Sequence, residues 1–235
     1  LHADFGENPE YGIPFNVVPG NQPKVPITWT AYGDESDPGP YPIPSNAKQE
    51  PAGDAHVLVL DSGACKLYEL YHARKTGSGW SADSGAIFDL RSNALRPDTW
   101  TSADAAGLPI LPGLVRYEEV AAGAVNHAIR FTADDAQDGW IYPATHPVGS
   151  DDPSLPPMGL RVRMKADYDI SRLTGQARII AVAMKKYGMI LADNGSPWFF
   201  TGATDSRWND EELNQLKEIP GSAFEAVYTG DIHKR

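Results

Sequence analysis

Short runs of apolar, aromatic and β-branched residues recur along most of the chain, at His56–Leu60, Lys66–Tyr71, Ala86–Leu90, Val125–Thr132, Leu160–Ala166, Met189–Ala192 and Trp198–Thr201. Gly, Pro, Asn and Asp fill the gaps between them, which is the punctuation of strands joined by turns. Their spacing predicts a mainly β fold, a β-sandwich or jelly roll. The clearest register is Leu160-Arg161-Val162-Arg163-Met164-Lys165, with Leu, Val and Met on one face and three cations on the other, the period of a half-buried strand. A helix is predicted over Gln176–Tyr187, where Ile180, Ala183, Met184 and Tyr187 share a face and Gly188 stands ready to end it in the left-handed conformation. Shorter helical turns are expected at Arg116–Ala122 and Asp210–Lys217, the second opening on Asp-Glu-Glu at the positive end of its dipole. A strand at Pro26–Trp29 is expected inside an otherwise irregular start.

That start, residues 1–54, is dense in Pro, Gly, Asn and Asp, culminating in Asp34-Glu35-Ser36-Asp37-Pro38-Gly39-Pro40-Tyr41-Pro42-Ile43-Pro44. Pro supplies no N–H donor and pushes its predecessor to extended geometry, so this stretch is expected to be an extended arm packed on a β-sandwich formed by residues 55–235. The whole is expected to be one domain carrying one or two short helices. Six Trp, ten Tyr and seven Phe supply enough apolar surface for a core.

Charge narrows the partners. With 20 basic and 31 acidic residues the chain carries −11, a sign that repels phosphate backbones and speaks against nucleic acid. No run approaches the roughly 20 apolar residues of a membrane span. The lone Cys65 allows no intrachain disulfide and falls in line with Leu67 and Tyr71, which predicts a buried structural thiol. Low Lys content, many Gly and Pro, abundant Trp and Tyr and a first residue that is Leu rather than Met favour a secreted, extracellular protein.

Several segments carry a further likeness: His2-Ala3-Asp4-Phe5-Gly6, Ser84-Gly85-Ala86-Ile87-Phe88-Asp89-Leu90, Thr101-Ser102-Ala103-Asp104-Ala105-Ala106-Gly107-Leu108-Pro109, His127-Ala128-Ile129-Arg130-Phe131 and Tyr187-Gly188-Met189-Ile190-Leu191-Ala192-Asp193-Asn194-Gly195-Ser196. Together they resemble a family of exported bacterial proteins without an assigned activity. The resemblance implies export and a single domain, and brings no functional residues with it.

The familiar nucleophile elbow, phosphate-binding loops, His-Glu-x-x-His and paired Cys-x-x-Cys are all absent from the sequence. Carboxylates are the leading candidates, because two of them across a groove suffice for glycoside hydrolysis. Asp104 sits in a small-residue turn near Trp100, Glu118 and Glu119 are adjacent on a helical turn and diverge by about 100° so that at most one faces a substrate, and Asp193 opens a hairpin-like Asp-Asn-Gly-Ser. Each also has a plain alternative: turn capping for Asp104 and Asp193, a solvated acidic pair for Glu118 and Glu119. His127, close to Asn126 and Arg130, is the candidate base beside a carboxylate. His56, His127 and His146 form the candidate metal set, since three imidazoles suit a divalent ion, although no two of them are local neighbours. Trp80, Trp100, Trp140 and Trp198 are candidate sugar-stacking rings. Arg130, Arg161 and Arg163 are candidate carboxylate readers for an anionic sugar, with an ordinary solvent face as the alternative.

These features point to a secreted glycan-active enzyme acting on a polysaccharide or oligosaccharide, a glycoside hydrolase before a polysaccharide lyase. It would use loop carboxylates in an aromatic-lined groove, with no cofactor beyond a divalent metal if the histidines converge. A non-catalytic glycan-binding or cell-surface module, and a metal-dependent or lyase-type enzyme built on the histidines, are the alternatives.

Overall fold

A computed structural model describes residues 1–51 and 53–235, so position 52 of the N-terminal stretch lies outside the described residues. The protein is mainly β, with 26% strand against 15% helix. In chain order the strands are β1 (His2–Ala3), β2 (Phe15–Val18), β3 (Ile27–Trp29), β4 (Val57–Asp61), β5 (Lys66–Tyr71), β6 (Arg74–Lys75), β7 (Trp80–Ala82), β8 (Ser84–Asp89), β9 (Ile129–Ala133), β10 (Arg161–Met164), β11 (Met189–Asn194), β12 (Phe199–Phe200) and β13 (Phe224–Val227); the helices are α1 (Tyr117–Ala121), α2 (Gly175–Lys186) and α3 (Asp210–Asn214). They build a six-stranded sheet of order β1-β12-β9-β11-β10-β13, a four-stranded sheet β2-β4-β5-β8 and a three-stranded sheet β3-β7-β6. Layered sheets of this kind are compatible with a β-sandwich. A jelly roll is built from antiparallel strands, and the parallel pairs β1–β12, β9–β11, β2–β4 and β3–β7 lie outside that plan. No helix among the described residues is long and apolar enough to cross a membrane.

The described residues of 1–54 are largely irregular, with a 3-10 turn at Gly33–Glu35, yet they do not simply lie over a finished core. They contribute β1 to the six-stranded sheet, β2 to the four-stranded one and β3 to the three-stranded one, stitching the layers together. Each of these strands adds along an edge, where a Pro-rich neighbourhood costs few ladder hydrogen bonds.

The helix α2 covers one face of the six-stranded sheet, burying Ala177, Ile180, Ala181, Ala183 and Met184 against Ile129, Phe131, Val162, Met164, Met189 and Leu191. Its end is fixed by Gly188, at φ 74°, where a Cβ would stand 2.3 Å from the Val162 carbonyl; only glycine meets both demands. In β10 Val162 and Met164 point inward while Arg163 points out, the register expected from Leu160–Lys165. Cys65 departs from expectation: it lies in the β4–β5 turn at φ 53°, half-buried, because the strand begins only at Lys66.

Alternation also explains the seam between the sheets. In the four-stranded sheet Leu58 pairs with Glu69 and Leu60 with Leu67, while Glu69 pairs with Ala86 and Tyr71 with Ser84. Directly paired residues share a face, so Glu69 and Ser84 look the same way as Leu58 and Leu67. The opposite face, with Val57, Val59, Tyr68 and Leu70, packs with Tyr41, Ile43 and Trp80. The Leu58 and Leu67 side instead meets Ala103, Ile110, Leu111 and Leu114 of the loop that runs over residues 101–114. That loop is the layer between the two larger sheets.

Candidate functional site

The six-stranded sheet turns a polar strip toward this loop. Ile129 and Phe131 of β9 face the α2 core, so Arg130 and Thr132 face the other way. In β11 simple alternation from Ile190, the partner of Arg130, would aim Ala192 and Asn194 with it. A register shift between Leu191 and Asp193 instead pairs Asp193 with Thr132, and so delivers the Asp193 carboxyl to the Arg130 face. Re-aiming one side chain is what a bulge does. Phe199 of β12 also pairs with Thr132, and β1, on its far side, carries the chain into Asp4.

Arg130 is buried and closely held. Its Nε and Nη2 donate to the Asp104 carboxylate at 3.3 and 2.7 Å, and Nη1 donates to Thr201 Oγ1 at 2.7 Å. Asp104, 1% exposed, is therefore the fixed partner of a buried cation and not the ligand-reaching loop carboxylate of the sequence expectation. Its loop is tied to the four-stranded sheet from three directions. Ser84 Oγ donates to the Ser102 carbonyl at 2.7 Å. His56 Nε2 lies 3.0 Å from the Ala103 carbonyl, and the Glu69 carboxyl accepts from Ile110 N and Leu111 N at 2.9–3.1 Å. Glu69 is wholly buried; burial pushes its carboxyl up to about 7, against the pull of those N–H donors.

A cleft of about 180 Å³ opens beside Arg130, lined by Asp4, Glu50, Asp54, His56, Asp193 and Asn194 among others. Both nitrogens of His56 face acceptors, Nδ1 the Glu50 carboxylate at 2.7 Å and Nε2 the Ala103 carbonyl. Two acceptors call for two N–H donors, which makes the ring an imidazolium. Burial alone would discharge it, but the Glu50 hydrogen bond and charge prevail and its pKa is raised; Glu50 is correspondingly lowered, its own burial outweighed by His56.

The Asp193 carboxyl is 3.7 Å from Arg130 Nη2 and among the described residues makes no shorter polar contact. Its side chain keeps 24% of its surface, yet protein closes most directions around it. Desolvation, then the charge of Asp104, raises it to about 7 in spite of Arg130. Asp4 stands at the mouth, exposed at its surface and surrounded beneath. Desolvation raises it to about 6, again against Arg130. Asn194 adds a buried Oδ1 with no hydrogen-bond partner among the described residues.

Other expected site residues lie elsewhere. Glu118 is an exposed partner of Arg207. Glu119 pairs with Arg116 and sits 3.2 Å from His127 Nε2, while His127 Nδ1 meets the Ala128 carbonyl at 2.8 Å. That local knot at the start of α1 is a carboxylate–imidazole pair, but it lies outside the cleft. His146 is held between the Ala105 carbonyl and Arg235, and burial lowers its pKa. His56, His127 and His146 therefore do not converge, and among the described residues no group of three or more His, Cys, Asp and Glu is placed to hold a metal ion. The metal expectation is corrected by the separate duties these rings perform.

The aromatic expectation is corrected as well. Trp80 and Trp140 are buried at 6% and 2%, Trp100 lies under the Arg96 guanidinium, and Trp198 packs between Phe131 and Phe224. The aromatic wall of the cleft is Phe199, with His2 stacked on it at 4.8 Å. Arg161 donates to the Tyr187 carbonyl and Arg163 pairs with Glu225 in solvent, so neither reaches the cleft. Of the expected set, the structure gathers Asp104, Arg130, Asp193 and His56.

The residues that sequence reasoning missed are Asp4, Glu50, Asp54 and Glu69. Glu69 had a signal, a lone carboxylate inside Leu67-Tyr68-Glu69-Leu70 where both faces are apolar, since such residues are almost never buried without a task. Asp4, Glu50 and Asp54 fall in the Pro- and Gly-rich start, where no period marks them. No family profile, curated protein or solved structure matches the chain.

Proposed function

We propose that this chain is a glycan-active hydrolase in which Asp193 is the general acid and Asp4 the partner carboxylate. The observation that carries the reading is the shared cleft of two carboxyls with no fixed hydrogen-bond partner among the described residues, raised to about 7 and about 6. Paired titratable groups whose environments separate their pKa values assign themselves as acid and base. Between about pH 6 and 7 ionised Asp4 and protonated Asp193 coexist. Asp193 would protonate the glycosidic oxygen as the anomeric C–O bond breaks. Asp4 would remove a proton from the water that attacks the anomeric carbon, or attack that carbon itself. Arg130, 3.7 Å from Asp193, steadies the carboxylate left behind.

The cleft volume suits a polymer substrate. About 180 Å³ is below the roughly 300–1,000 Å³ of sites that enclose a whole small ligand, so it would take one residue of a longer chain. The resemblance to exported bacterial proteins supports a substrate met outside the cell. A polysaccharide panel assayed for new reducing ends and for unsaturated products tests the reading. Reducing ends released by the native protein and abolished in Asp193→Asn and Asp4→Asn support it; unsaturated ends would signify elimination, and no product from any glycan would overturn it.

A non-catalytic binding module is favoured by one different observation. On another side of Arg130 lies a cavity of about 840 Å³ walled by Phe88, Leu95, Leu108, Pro109 and Ile190. If that cavity is the working site, a Leu108→Trp substitution that fills it will abolish ligand binding and leave the Asp193 cleft untouched.

A further inference from the structure

The cavity of about 840 Å³ lies between the Arg130 face of the six-stranded sheet and the end of β8. Ala128 and Ile190 line it from that sheet, Phe88 and Leu95 from β8 and the loop after it, Leu108 and Pro109 from the loop over residues 101–114. Its volume falls within the roughly 300–1,000 Å³ of sites that enclose a small ligand. Leu90 and Leu95, both lining it, remain 39% and 48% exposed, so apolar surface continues from the recess out to its rim.

The wall carries no unpaired charge. Its five ionisable side chains are Asp37, Asp89, Arg96, Asp104 and Arg130, and each has a counter-ion within the fold. Asp37 accepts from Arg96 Nη1, Asp89 from Arg91 Nε and Nη2, both at 3.1 Å, and Asp104 from Arg130 Nε and Nη2. Arg96 also donates to the Thr101 and Glu35 carbonyls at 2.8 and 2.7 Å. An ion entering here would give up its hydration without meeting a free opposite charge.

Sugars are poorly served as well. Among the described residues Ser92 and Asn93 are the uncharged polar side chains of the lining, and Ser92 Oγ already accepts from Ala94 N. Several hydroxyls would go unmet. Phe88 is the one aromatic ring among those residues, and the Arg96 guanidinium lies over it at 5.8 Å. What remains is mostly aliphatic side chain and proline, a surface that gains by covering aliphatic carbon.

Resting on the binding reading of this cavity and not on hydrolysis at Asp193, we propose that it holds an uncharged aliphatic ligand, a fatty alcohol, an ester or a comparable neutral lipid body. Its polar end lies at Asn93 on the exposed loop.

The test titrates the full chain at pH 7 with the neutral dye N-phenyl-1-naphthylamine, whose emission rises on leaving water. The bound dye is then displaced with octanol, octanoate, octylammonium and a glucose tetramer. The expected result is one dye per chain, displaced by octanol at a concentration at least about tenfold below that needed of either ion, with no displacement by the sugar. Ala128→Phe fills the recess from its half-buried side, and Leu95→Asp sets a charge in its exposed wall. Each should weaken dye binding at least about tenfold, while Asp193→Asn leaves it unchanged. Should Ala128→Phe fail to fold, Leu95→Asp still decides, because its loop is exposed. Binding lost in these variants but displaced equally by the ions, or by the tetramer, overturns the neutral aliphatic ligand and leaves the cavity a binding site. No saturable binding, or binding that neither variant weakens, overturns the cavity reading too.

Discussion

Replacing Glu69 by Gln should change how stability depends on pH, and the sign of that change is fixed by the direction of its pKa. Burial raises the folded-state carboxyl from an ordinary 4.5 to about 7. Between those values the folded state holds a proton that the unfolded chain has lost, so stability is greatest below about 4.5 and declines as pH climbs toward 7. A rise of that size, at 1.36 kcal/mol for each tenfold in acidity, corresponds to roughly 3 kcal/mol. Glutamine copies the protonated acid in shape and charge. Its carbonyl can stand where Oε1 accepts from Ile110 N and Leu111 N at 3.1 and 3.0 Å. Near pH 5 the variant should match the native protein within about 1 kcal/mol, and by pH 8 it should be the more stable by about 2–3 kcal/mol. Asp193, Asp4 and His56 slope the same way in both proteins, so the difference isolates Glu69. Urea unfolding at pH 5, 6, 7 and 8 measures it, with unchanged m-values as the check on two-state behaviour. A variant weaker by the same amount at every pH would refute the reasoning, since it would mean that Glu69 is ionised throughout and held by its N–H donors.

If Asp193 is the acid and Asp4 the base, the rate of the native enzyme should follow a bell, falling below about 6 as Asp4 gains a proton and above about 7 as Asp193 loses one; a flat profile over pH 5–8 refutes the assignment. Arg130→Met should cost about 3–5 kcal/mol in urea unfolding, because Asp104 is left charged and unpaired at 1% exposure. A loss under 1 kcal/mol would mean the pair is not buried as described. Val162→Asp should prevent folding, since the side chain enters the α2 core, whereas Arg163→Gln should stay within about 0.5 kcal/mol; the opposite ranking in thermal melts would invert the β10 register.

What the sequence made legible follows from where a single face decided burial. In β10 and α2 one side meets the core and the other meets water, so Val162, Met164, Ile180 and Met184 declare themselves. In β5 both faces are covered, and Lys66–Tyr71 could be read as a strand without revealing that Glu69 looks into the seam. The site is harder still, because its side chains come from β9, β11, the turn after β1 and the segment before β4. Asp193 was a candidate for its turn signal, but its aim depends on a bulge, which alternation does not encode. Trp80, Trp140, His127 and His146 lie away from the cleft for one reason: large rings and imidazoles look like site residues in a sequence, while packing and backbone carbonyls absorb them in the fold.

The same seam links stability to ligand. Glu69, Asp193 and Asp4 each favour the folded state more at low pH than at neutral pH, because burial opposes the ionisation of all three. A ligand that supplies positive charge to the cleft favours the ionised form of Asp4 and Asp193, and its stabilisation grows with the ratio of its concentration to its Kd. Its effect on the melting temperature should therefore be larger at pH 7 than at pH 5, provided the ligand stays charged. A neutral glycan that meets only the hydroxyl-seeking acceptors should shift the melt by a similar amount at both. Polar groups placed between two sheets are costly to the fold without a ligand, and a binding site is the setting in which that cost has a return.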